Sequence, residues 1–128
     1  MTAEPRPFAY AVLRVIPCVE RGEVLNAGVV LFCRQLDFLE LKIRLDPAKL
    51  SAIAPDADLE AITQRLEEIR DVIKGDPARG ALAELEPSDR FGWLVAPSST
   101  VIQASDAHTG LTADPAAELD RLFNHLVL

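Results

Sequence analysis

Residues Asp37–Leu45, DFLELKIRL, alternate without a break: Leu39, Leu41, Ile43 and Leu45 fall on one side, Glu40, Lys42 and Arg44 on the other. A period of two with one apolar side is the signature of a half-buried strand whose second side meets water. Working back along the chain, Leu25–Cys33 (LNAGVVLFC) and Phe8–Ile16 (FAYAVLRVI) are apolar on both sides, and Pro17 ends the earlier run. Strands of that composition belong inside a sheet. Each carries one strongly polar residue, Asn26 and Arg14. The connections Pro17–Val24 and Arg34–Leu36 are short, so antiparallel neighbours are the simplest topology.

Beyond Leu45 the period changes. Asp46-Pro47 opens a short helix through Ile53, closed before Pro55. Asp56 or Asp58 caps the next one, whose apolar residues Leu59, Ile62, Leu66, Ile69 and Ile73 step by three and four. That stripe lays the helix on the sheet, with Leu66 and Ile69 in the core, and Gly75 stops it. Pro77–Leu85 predicts a short helix interrupted at Gly80. Phe91–Ala96 and Thr100–Ala104 read as short strands around Pro97-Ser98-Ser99, and Ser105–Thr112 as loop. Asp114-Pro115 starts a last helix with Leu119, Leu122, Phe123 and Leu126 on one face. The expectation is an α+β fold: an antiparallel sheet of three or more strands with helices packed mainly on one face, in one domain over residues 1–128.

The bulk properties narrow the function classes. Half of the 128 residues are apolar, which suffices for a core without metal or disulfide staples. Charge is uneven: residues 1–53 hold seven Lys/Arg and six Asp/Glu, residues 54–128 six and fourteen. A net charge of −7 repels phosphate backbones, so direct binding to duplex DNA is not expected. No apolar run approaches the length of a membrane span. Met1–Pro7 carries Glu4 and two prolines, the wrong chemistry for a signal peptide, so the cytoplasm is the expected compartment. Cys33 reads as a small core residue, and Cys18, after Pro17, as a free thiol in a loop. His108, His125, Cys18 and Cys33 have no ligand spacing, so no metal or other cofactor is expected.

Two polar clusters are candidates for function. In the first, Arg14, Glu23 and Asn26 surround the first hairpin. If paired residue numbers sum to 40, Arg14 faces Asn26, Val12 faces Gly28 and Tyr10 faces Val30. Arginine, carboxylate and amide then converge on one sheet face, where they can hold an anionic ligand or polarise a bond. The structural reading is that Glu23 neutralises a partly buried Arg14 while Asn26 satisfies loop backbone. The second cluster is Ser98, Ser99, Gln103, Ser105 and His108, with Thr100 and Asp106 among them. It has hydroxyls, an acid and an imidazole but no recognised nucleophile spacing, and ordinary turn chemistry is the favoured reading of it.

The residues Tyr10-x3-Arg14-x2-Pro17, then Glu23-x2-Asn26-x-Gly28-Val29-Val30-Leu31-Phe32, resemble a bacterial family catalogued as domain of unknown function 3037. Trp93–His108, with Gln103, Ser105 and His108, and the following Gly110-Leu111-Thr112 are also similar to it. The resemblance covers nearly the whole chain and implies no particular activity. It does imply a protein partner, because family members are encoded beside kinase-like proteins related to the HipA toxin. Two expectations follow. One is a non-catalytic accessory or interaction module for such a kinase-like partner. The other is a small hydrolase or transferase acting on an anionic substrate through Arg14, Glu23 and Asn26 with His108. A deep pocket joining the clusters would favour the enzyme, a flat surface the partner.

Overall fold

The computed structural model describes residues 4–98 and 100–128. Five strands, β1 (Arg6–Val15), β2 (Leu25–Cys33), β3 (Phe38–Ile43), β4 (Ile102–Ala104) and β5 (His108–Thr112), form one antiparallel sheet. The order is β3-β2-β1-β4, and β5 pairs with the other half of β1 along the same edge as β4. The two runs that are apolar on both sides are thus the two central strands, and the alternating run lies at an edge. Among the described residues no helix is long and apolar enough to cross a membrane.

The helices are α1 (Pro47–Ile53), α2 (Leu59–Lys74), α3 (Pro87–Val95) and α4 (Pro115–Leu126). Asp46, Asp58 and Asp114 cap α1, α2 and α4, each carboxylate accepting backbone N–H groups of the first turn. Gly75, at φ 80°, closes α2 in the left-handed conformation expected of it. The segment after it forms two 3-10 turns, Pro77–Arg79 and Ala81–Glu84, divided at Gly80.

Helices α1, α2 and α3 share one face of the sheet. There Ala11, Leu13, Val15, Val30 and Leu41 pack against Leu50, Leu66, Ile69, Ile73 and Phe91. Leu66 is 1% exposed and Ile69 5%, as the helical stripe requires. Helix α4 takes the opposite face, where Leu119, Leu122, Phe123 and Val127 cover Phe8, Val29, Leu31 and Cys33. Lys42 pairs with Asp120 of α4 at 2.7 Å and lies over the Phe123 ring. The contacts of α4 are mainly with β2 and, less, β3; on β1 Phe8 and Val12 are buried as well, while Tyr10 and Arg14 stay half-buried beside β4 and β5.

Two segments differ from their sequence reading. Phe91–Ala96 is not a strand but the second half of α3, which Pro87 opens at the first helical position. Phe91, Leu94 and Val95 have the spacing of a helix face, and Phe91 stacks on Phe32 with ring centroids 5.5 Å apart. The loop expected over Ser105–Thr112 is loop only to Ala107, and the rest is β5. Its polar sequence gives no alternation because it lies at an edge with one face open. Gly110 is required there: a Cβ would meet the Phe8 ring at 2.8 Å.

Candidate binding face

The register of β1 decides where the polar residues go. Arg14 lies opposite Asn26 on one side and opposite Gln103 on the other. Directly paired residues of adjacent strands project to the same face, so Asn26, Arg14 and Gln103 form a row across β2, β1 and β4. The pairing that sums to 40 holds at Arg14 and at Val15. A bulge between Leu13 and Arg14 then shifts it, so that Gly28 faces Leu13 and Val29 faces Val12. Without the bulge Val29 and Leu31 would leave the α4 face. Gly28 sits at this shift because a Cβ would approach the Lys42 carbonyl oxygen to 2.8 Å.

One and two pairs along β1, Val12 and Tyr10 project to the same face as Arg14. Tyr10 is paired with His108 of β5, their ring centroids 5.3 Å apart. Arg14 and Tyr10 are half-buried, and His108 is exposed. Of the two clusters read separately from the sequence, Arg14 of the first and Gln103 and His108 of the second come onto one surface beside α4.

Their members do different work. Asn26 donates from Nδ2 to the carbonyl of Leu126 at 3.0 Å and so anchors the end of α4 to β2. Glu23 does not approach Arg14; it is bound by Arg21 at 2.6 Å, its neighbour across Gly22 in the tight turn at φ 73°. Arg14 has no carboxylate within 4.0 Å and no side-chain hydrogen bond among the described residues. Ser105, 6% exposed, accepts from the Val12 N–H at 2.9 Å and donates to the Asp106 carbonyl. Its own N–H donates to the Val12 carbonyl, so Ser105 carries the ladder across the gap between β4 and β5. A hydroxyl so engaged is not poised as a nucleophile. Ser98 and Thr100 bond each other, Thr100 donates to the Ile102 carbonyl, and Gln103 Nε2 donates to the Thr100 carbonyl, all in the turn that leads into β4. Ser99 lies outside the described residues.

Around Arg14 the surface is open, and the cavities lie elsewhere. Two adjoining ones, of about 350 and 370 Å³, run between α2, α3 and β4 on the opposite side of the sheet. Trp93, Ile62, Ile69 and Ile102 line them, and Arg65 is the single charged liner. Ser98, Thr100 and Gln103 of the second sequence cluster also line the first of them, while its apolar walls, being core-facing residues, gave no sequence signal. Tyr10 did have one: it is four residues from Arg14 on a strand, hence on the same face. Among the described residues no three His, Cys, Asp or Glu side chains converge as metal ligands.

The molecule is thus an α+β protein with a polar, uncovered sheet face. The chain belongs to the family described as protein of unknown function (DUF3037), whose model matches residues 10–127. No curated protein and no solved structure matches it significantly.

Proposed function

We propose that the protein is a non-catalytic binding module that docks a protein partner through the open face of β1, β4 and β5. The observation that carries this reading is Arg14: a half-buried arginine, in register with Gln103 and Asn26 and without an anionic partner among the described residues. A cation held in such a setting favours an oxygen anion brought by a partner. Tyr10 and His108 add an amphipathic ring pair beside it, the kind of side chain that contributes to interfaces. The partner class is a kinase-like relative of the HipA toxin, in line with the family's gene neighbourhoods. A hydrolase or transferase reading has less support, since Ser105 is spent on backbone and the best-formed cavities among the described residues are lined by neither Arg14 nor His108.

The test is co-expression with the kinase-like product of an adjoining gene, followed by capture on tagged protein. Wild type should retain the partner, and Arg14→Gln and Gln103→Ala should retain far less. Equal capture by all three would contradict the proposal.

A further inference from the structure

The free edge of β4 has a particular construction. Val12 bonds Ser105 through both its N–H and its carbonyl, and the Ile16 N–H bonds the Val101 carbonyl, so the even residues of β1 turn their backbone groups toward β4. By alternation Gln103 answers Arg14, while Ile102 and Ala104 turn theirs outward. The Ile102 carbonyl is taken by the Thr100 hydroxyl. The Ile102 N–H and both groups of Ala104 have no partner among the described residues. Neither β4 nor β5 contains Lys, Arg, Asp, Glu or Pro, the residues that blunt an edge, whereas the other edge strand, β3, carries Glu40 and Lys42.

The two sides of this edge differ. On one side Ile102 and Ala104 lead into the groove lined by Ile62, Ile69 and Trp93. On the other, Gln103 is in register with Arg14, although it also borders the groove and its amide donates to the Thr100 carbonyl. In a chain of net charge −7, Arg14 on the face is a cation with no carboxylate within 4.0 Å among the described residues, whereas Arg65 in the groove pairs with Glu68 at 3.4 Å.

We infer that β4 accepts an extended segment of the partner as an additional antiparallel strand, with aliphatic and acidic side chains in alternation. This rests on the binding-face reading above and gives its partner a chemistry. A strand's period of two sends alternate side chains to opposite faces, so one set enters the groove and the other reaches toward Arg14. Arg14 lies two strand spacings, about 10 Å, from the added backbone, a gap that an arginine and a glutamate side chain close between them.

Trp93 is the sole tryptophan and lines the groove, so its fluorescence reports occupancy. The probe is a seven-residue capped peptide alternating leucine and glutamate, titrated into the full chain. Expected are a saturable shift of Trp93 emission and about tenfold weaker binding to Arg14→Gln, the usual effect of losing a charged hydrogen bond. A peptide N-methylated at the amides facing β4 should lose binding, and one N-methylated at the other set should keep it. No response, an equal response to a leucine–lysine peptide, or indifference to N-methylation would overturn the inference. So would a concentration-dependent Trp93 shift without peptide, which would put a second copy at the edge. Ala104→Pro separates this inference from the broader one: if it keeps the co-expressed partner while Arg14→Gln loses it, strand addition fails and the binding face stands.

Discussion

At the residue scale, neighbouring polar side chains carry different burdens. Asn26 satisfies a carbonyl at the end of α4, so Asn26→Ala should destabilise the fold by about 1 kcal/mol, read from chemical denaturation. Ser105→Ala would leave the buried Val12 N–H without its acceptor and should cost about 1–3 kcal/mol by the same measurement. Gly28→Ala would press a methyl group on the Lys42 carbonyl and should cost about 1–3 kcal/mol. The sequence marked Arg14, Asn26 and Gly28 because each departs from an otherwise apolar strand. It did not tell which had a partner. Glu23, in the connecting loop, was the expected partner of Arg14, yet the turn at Gly22 delivers it to Arg21, a contact that depends on backbone geometry rather than on residue type.

At the scale of elements, caps and stripes do most of the work, and these were the most legible features. The Asp-Pro pairs at Asp46 and Asp114 and the three–four spacing of α2 are local signals, and the helices start and face as they dictate. Leu66→Ala should cost about 2–5 kcal/mol, because the side chain is enclosed between α2 and the sheet. The cap at Asp46 makes a prediction in acid. The Lys49 N–H, with help from the Ala48 N–H and the charges of Lys49 and Arg44, holds its carboxyl below the ordinary value of 3.8 against a smaller desolvation effect. A depressed carboxylate contributes stability that is fully present above the ordinary value and is lost as pH falls through the depressed one. Melting profiles of wild type and Asp46→Asn should therefore converge below the ordinary carboxylate range and separate above it; a constant difference at every pH would refute this. α3 and β5 were misread for opposite reasons. The helix is rich in aromatic and β-branched residues, and Pro87 was its real start signal. The strand is polar because it borders the open face, so its pairing with β1 is a tertiary fact with no local pattern.

At the scale of the whole molecule, the placement of α4 explains why part of a sheet face stays exposed as a candidate surface. Three helices close one side of the sheet, while α4 covers mainly β2 and β3 with Phe8 of β1 on the other, and beside it lie the half-buried Tyr10, Arg14 and Gln103 and the exposed His108. Both polar clusters were visible in the sequence, but their meeting required β5, which the sequence concealed. On the proposed reading, stability and recognition are divided between residues only one strand apart: Asn26 holds α4, and Arg14 would take the partner's anion. The most direct measurement is calorimetric titration of Arg14→Gln with the co-expressed kinase-like protein, on material checked by thermal melting. The account predicts a melt like that of wild type with binding weakened about tenfold or more, the scale of a lost charge-assisted hydrogen bond. Unchanged affinity, or a marked loss of melting temperature, would contradict it.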